Sequence, residues 1–345
     1  MSILPFLLTH PSPILRYLVL KNLYYRSEND SEINELKSVI HEDESLLSLV
    51  SLQEKDGSWK MVDARWGKTS SKIFTTSIVL TRLSYFGFSK EDDPIKRGAE
   101  YLFSVQRKDG SWNPDMENPD LDEEVDSYEW IPIKTALPLR GLASCGYAGD
   151  IRCERAYDWL MDKRMKDGAW PTGWVQGNYG YVAGYRKMPH SRWGCRTNTT
   201  SVLICTALHD QRKKSEESAT ALDLLLGRET EDVKNIGFDI ARTLGFEPIR
   251  GLFTYFAKHD PLLTLWLCRK IGADFSDERV EKLYNFIKEN INPEKLFIYS
   301  SRPEASKWVH YEILQILRDF PLQTGWKSLQ PRTPFQAYSK NKKRF

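Results

Sequence analysis

A short motif that returns three times at near-regular spacing limits what this chain can fold into. SLQEKDGSW ends at Trp59, SVQRKDGSW at Trp112 and KRMKDGAW at Trp170, so the tryptophans stand 53 and 58 residues apart. Eleven residues before each lies Ser48, Tyr101 or Trp159, followed in turn by Leu49, Leu102 or Leu160. The stretch leading into each motif has the spacing of an amphipathic helix, and Lys-Asp-Gly stops it. Glycine permits the positive-φ turn that follows, and aspartate tolerates it. The tryptophan is then placed to pack back on the helix the chain has just left.

Between consecutive copies runs a second apolar segment of helical spacing: TTSIVLTRLSYFGF, then IKTALPLRGLASCGY, then TNTTSVLICTALHD. The unit is helix, DGxW loop, helix. The later chain keeps the rhythm with Phe297, eleven residues after Phe286, in the slots of Trp112 and Tyr101. PLLTLWLCRKIG before it and WVHYEILQILRDF after it supply the alternating helices. SATALDLLLGR also reads as a helix, whereas ETEDVKNIGFDIARTLGFEP has lost the tryptophan. Residues 1–43, with ILRYLVLKNLYYR and SEINELKSVIHE, read as a helical cap leading into the repeats over 44–322, and 323–345 as a basic tail. The expectation is an all-α chain of about twelve helices without a convincing strand. Helix pairs stacked at a fixed period give either an open solenoid or a closed ring.

Charge and cysteine usage narrow the function. Forty-nine basic against 47 acidic residues leave a formal charge of +2, which speaks against nucleic-acid binding. Cys145, Cys153, Cys195, Cys205 and Cys268 form no CxxC pair and read as reduced thiols. The start, MSILPFLLTHPSPILRYLVL, lacks a basic leading segment and is broken by Pro5, Pro11, Pro13 and Arg16. Neither a signal peptide nor a membrane span is expected from it. A cytoplasmic protein is expected, with the closing KNKKRF either solvated or in peripheral contact with an anionic membrane surface.

The pattern aromatic-Leu-x-x-x-Gln-x-x-x-Gly-x-Trp resembles the QW repeat of the squalene cyclase, oxidosqualene cyclase and protein prenyltransferase β-subunit superfamily. RGAEYLFSVQRKDGSW carries it most fully, including Arg97-Gly98, and SLQEKDGSW is a second match. KRMKDGAW departs by placing Arg164 where glutamine belongs. The resemblance covers about residues 44 to 320, strongly up to 215. It implies an α/α toroid: inner and outer rings of six helices around a deep central cavity. Squalene cyclases carry two such barrels, and this chain resembles a single one.

The resemblance also nominates residues. In MENPDLDEEVDSYEWIP, residues 116 to 132, Asp120-Leu121-Asp122-Glu123 resembles the DxDD acid motif of class II terpene cyclases, with Glu123 in place of aspartate. It makes Asp122 the proton donor to an alkene or epoxide, with Asp120 and Glu123 as neighbours. Crowded carboxylates in an apolar setting would keep such an acid protonated. The alternative is a solvated acidic loop. Protein prenyltransferase β-subunits hold zinc with an Asp-x-Cys pair and a histidine. Asp150 and Cys153 are one residue too far apart, and His310 alone does not make such a site. No metal or cofactor is expected, magnesium entering only with a diphosphate substrate, and no obligate partner subunit is implied.

WPTGWVQGNYGYVAGYRKMPHSRWGCR, residues 170 to 196, is long for a helix connection and holds five glycines. Trp174, Tyr179, Tyr181, Tyr185 and Trp193 offer ring faces to a carbocation or walls to an apolar pocket. His190, Arg192 and Arg196 offer contacts for a phosphate or carboxylate head group. Trp66, Trp130 and His310 complete the candidate lining. The alternative is a lid packed by its own aromatics. Two functions stay open. One is acid-initiated, isomerase-type cyclisation of an isoprenoid, or prenyltransferase-like chemistry. The other is a non-catalytic toroid holding a lipid, peptide or protein partner.

Overall fold

Helices buried on most of their sides sit inside, and helices with one apolar stripe surround them. The computed structural model describes residues 4–60, 71–113, 130–175, 178–227, 232–248, 251–292, 295–321 and 323–327. In chain order its helices are α1 (Leu4–Leu8), α2 (Pro13–Asn22), α3 (Ser31–Ile40), α4 (Glu44–Ser51), α5 (Lys72–Tyr85), α6 (Asp93–Ser104) and α7 (Pro132–Leu142). They continue as α8 (Ile151–Asp162), α9 (Arg196–Ala207), α10 (Glu216–Leu226), α11 (Phe238–Thr243), α12 (Pro261–Ile271), α13 (Glu278–Glu289) and α14 (Ser306–Arg318). One small hairpin pairs β1 (Trp174–Val175) with β2 (Asn178–Tyr179), a strand pair that periodicity does not announce.

Every residue of α9 is buried, and in α7 all but Arg140. Such helices belong in an interior. By contrast α6 buries Ile95, Gly98, Ala99 and Leu102 along one side, and α13 buries only Val280 and Ile287. Contacts run from α5 to α7, α9, α12, α14 and α2 in sequence. Trp308 of α14 meets Tyr85 and Phe86 at the end of α5, at 6.1 and 6.0 Å between ring centroids, so the inner helices close into a ring.

The DGxW loops fasten outer helix to inner helix in one repeated geometry. Each indole Nε1 donates back to the leucine carbonyl ten residues earlier: Trp59 to Leu49 at 2.8 Å, Trp112 to Leu102 at 2.7 Å, Trp170 to Leu160 at 2.6 Å. Each tryptophan N–H donates to a threonine hydroxyl on the following inner helix, Thr76, Thr135 or Thr199. Gln53 and Gln106 donate both to their own loop and to the first turn of the next outer helix, at Pro94 O and Arg152 O. Gly110 explains why this bend takes no side chain. Its φ is +92°, and a Cβ there would lie 2.5 Å from the Arg155 carbonyl oxygen.

The stretch without a tryptophan behaves differently. Between α10 and α12 the chain dips inside the ring. Asp239 of α11 pairs with Arg140 of α7 at 2.8 Å and with Arg242 at 2.6 Å. Arg82 of α5 donates from Nε to Thr243 O at 2.7 Å. Asp260, capping α12, accepts the N–H groups of Gly237 and Asp239 at 3.0 and 2.8 Å. Arg196, opening α9, donates to Ala257 O. Gly237 lies so close to α14 that a Cβ would sit 2.4 Å from a Val309 methyl. The segment thus meets five inner helices. Among the described residues this segment takes up part of the interior where the family resemblance implies a deep cavity, and its buried charges are paired where they lie.

Candidate functional site

Among the described residues, two pockets lie beside this segment. The larger, of about 680 Å³, lies between α5, the turn into α2, α4, the start of α14 and residues 244–248. Thr75, Val79, Arg82 and Phe86 line it from α5, at the spacing that puts them on one helix face. Trp59 reaches it because its loop pins the indole under α4, and Trp308 closes the far wall. Ile14, Leu49 and Phe246 make most of the remaining surface apolar.

Arg82 is the charged group that α5 presents to this pocket. Its Nε is engaged by Thr243 O, and Gly245 lets the guanidinium lie against bare backbone, since a Cβ there would sit 2.6 Å from Nη2. Burial lowers its pKa to about 10, so it stays charged at neutral pH. His10 accepts the Ser12 N–H at Nδ1, and burial, followed by Lys307, lowers its pKa. Glu247 accepts from the Tyr299 hydroxyl at 2.9 Å, and Lys60 pairs with Glu54 at 3.2 Å.

The smaller pocket, about 170 Å³, is lined by Tyr85, Arg140, Asp239, Asp260, Trp266 and Glu312 among others. Burial pushes the Glu312 carboxyl up to about 7. Its Oε2 and the Tyr85 hydroxyl are buried without a hydrogen-bond partner among the described residues. Burial likewise raises Asp260 to about 6, against the backbone N–H groups that favour its charged form. For Asp239 burial pulls the same way, but Arg140 and Arg242 prevail and hold it at about 2. Carboxylates sharing one small space are thus driven apart in acidity by their partners.

The sequence candidates fall elsewhere. Trp130 stacks on Trp174 at 6.4 Å, Trp174 meets Tyr179 edge-on at 5.1 Å, and Tyr179 leans on Trp193 at 6.4 Å. Lys163, just past α8, sits 5.2 Å over Trp130, so this run of rings packs at an outer-helix end and lines neither pocket. Tyr181 and Tyr185 are exposed at 70% and 52%. Arg192 lies over Trp193 at 5.1 Å, and His190, at φ 57°, stands beside Gly227. Arg196 is buried and directed to the carbonyls of Tyr185 and Ala257, tying the aromatic segment to the ring's filling. His310 is wholly buried, and its Nδ1 accepts the Phe297 N–H at 2.8 Å, the duty Thr76, Thr135 and Thr199 perform in the first three units. Burial lowers its pKa to about 4, leaving it neutral. Asp120, Asp122, Glu123 and Trp66 lie outside the described residues.

Arg82, Arg140, Asp239 and Glu312 escape the sequence reading. Their signal is slight: one arginine near the end of each apolar inner segment, TTSIVLTRLSY and IKTALPLRGL, and an acid within WVHYEIL. Among the described residues no three His, Cys, Asp or Glu side chains converge on a metal position, and no helix is long and apolar enough to cross a membrane. All five cysteines are free and buried.

Residues 31–185 match the family described as squalene-hopene cyclase C-terminal domain. Over that stretch the chain is similar to the terpene cyclase superfamily. A probable squalene–hopene cyclase of Sinorhizobium fredii is 30% identical over 153 residues, 42% of this chain and 23% of that protein. Lanosterol synthase ERG7 of Saccharomyces cerevisiae is 28% identical over 130 residues, 37% of this chain and 17% of that protein. The chain thus spans about a fifth of the length of these relatives. The structure of the type II terpene cyclase MstE from Scytonema aligns over 83% of this chain and 74% of its own, at 17% identity and a TM-score of 0.45.

Proposed function

We propose that this terpene cyclase-like protein binds an apolar small molecule, an isoprenoid or another lipid, in the pocket beside α5. One observation carries the reading. Part of the ring's interior is taken by α11 and its ion pairs, while some 680 Å³ remain open beside it, walled by Trp59, Val79, Phe86 and Trp308. That volume falls in the ~300–1,000 Å³ span usual for small-molecule sites. The raised acid Glu312 faces the other pocket, whose 170 Å³ equals only about five or six waters at ~30 Å³ each. An isoprenoid chain does not fit there.

The test is equilibrium dialysis with radiolabelled farnesol, comparing the wild type with Val79→Trp, which fills the pocket from α5. Binding should weaken at least tenfold in the variant while its helical circular dichroism is kept. Equal affinity in both proteins removes this pocket from the proposal.

A second reading keeps acid-initiated cyclisation, because the family match over residues 31–185 includes Asp120, Asp122 and Glu123. In it Asp122 gives its proton to an alkene, and aromatic faces hold the resulting cation. Incubation with squalene and a panel of prenyl diphosphates decides it. Asp122→Asn should abolish any cyclised product with the fold intact, and unchanged product would take Asp122 out of the reaction.

A further inference from the structure

We infer that the molecule held beside α5 carries a single negative charge, a carboxylate on an apolar chain, received by Arg82; this rests on the pocket being the ligand site. Three other arginines of this ring have carboxylate partners: Arg140 and Arg242 pair with Asp239, and Arg279 with Asp223 and Asp277. Arg82 has no carboxylate within ion-pair distance among the described residues. Its recorded hydrogen bond is from Nε to the neutral carbonyl of Thr243. That bond fixes the plane of the guanidinium and leaves the two Nη groups for a partner. A half-buried guanidinium without a direct counter-charge carries part of the cost of desolvation, which an arriving anion offsets.

The charge count selects the head group. Lys60 is already paired with Glu54. His10 has its pKa lowered and accepts a backbone N–H. Glu247 and Glu304 also line the pocket and repel further negative charge. With two carboxylates already lining the pocket, the single guanidinium without a direct ion pair among the described residues matches a carboxylate, which two parallel N–H groups grip in a fork, better than a diphosphate. Val79, Phe86, Trp59 and Trp308 leave an apolar tail as the remainder. A straight-chain fatty acid and an isoprenoid acid share this chemistry.

The experiment titrates the full-length protein with two matched pairs, hexadecanoic acid against hexadecan-1-ol and farnesoic acid against farnesol, by calorimetry. At least one acid should bind ten times or more tightly than its alcohol, and the pair that shows it identifies the tail. Arg82→Gln should erase that preference, bringing the acid's affinity to that of its alcohol, and Arg82→Lys should restore part of it. Acid and alcohol binding equally to the wild type overturns the charge inference and leaves the pocket reading standing. A preference that survives Arg82→Gln overturns it as well. If none of the four binds, the pocket reading falls with it. The wild-type comparison of acid with alcohol needs no variant to fold.

Discussion

Arg140 grips Asp239 with a two-pronged bond, 3.2 Å from Nη1 to Oδ1 and 2.8 Å from Nη2 to Oδ2, joining inner helix α7 to the segment inside the ring. Both groups are almost out of water, so each is tolerable only because of the other. Arg140→Met should destabilise the fold by about 3 kcal/mol, the low end for breaking a buried pair, because Arg242 still holds Asp239 at 2.6 Å. Chemical denaturation measures it. An unchanged midpoint would mean that the filling segment is not fastened through this pair.

The acids around the small pocket give stability a definite pH dependence. Glu312 has a folded pKa of about 7, above its ordinary value, so its contribution is complete below about 4.5 and is lost as pH rises through about 7. Asp260, raised to about 6, acts in the same direction. Asp239, held at about 2, acts in the other, its contribution disappearing as pH falls from about 3.8 towards 2. Glu312→Gln should remove part of the decline between pH 5 and 8, with a gain at pH 8 on the order of 3 kcal/mol at most. Thermal melts of both proteins at those two pH values decide the matter. A parallel decline in both would clear Glu312 of the effect.

Trp112 should behave as a packing residue. Its side chain is buried, its Nε1 bonds to Leu102 O, and its backbone N–H bonds to Thr135 Oγ. Trp112→Ala removes the ring and the first bond, at a cost of roughly 3–5 kcal/mol. A denaturation midpoint within error of the wild type would contradict the clasp.

How much of this could be read from the letters depends on what buries each part. The DGxW units repeat, and each is fixed by local bonds from Gln53, Trp59, Gln106 or Trp112, so spacing alone exposed the helix pairs. The family resemblance added the ring. Asp239, Arg242 and Asp260 stayed illegible because charge holds them inside: they look like surface residues until Arg140 and the α12 cap are placed beside them. Aromatic density misled in the same way. Trp130, Trp174, Tyr179 and Trp193 satisfy one another, whereas the pocket's character comes from Arg82, one letter in an apolar run.

Arg164 is where the third unit breaks its own rule, and the break can be repaired. In the first two units the glutamine amide donates to the loop glycine carbonyl and to the second residue of the next outer helix, all four bonds at 2.9 Å. The equivalent acceptors in the third unit are Gly168 O and Glu217 O, since α10 starts at Glu216. Arg164 instead lies 5.9 Å over Trp170, with a buried Nε that has no partner among the described residues. Burial lowers its pKa, only partly opposed by Glu217, Asp167 and Glu216. Arg164→Gln gives up a cation–π contact of ~0.5–1 kcal/mol, relieves the buried guanidinium, and supplies two hydrogen bonds of about 1 kcal/mol each. The net expectation is a gain of about 1 kcal/mol, read as a higher denaturation midpoint at unchanged slope. A loss of similar size would show that the arginine serves the third loop in a way the glutamine cannot.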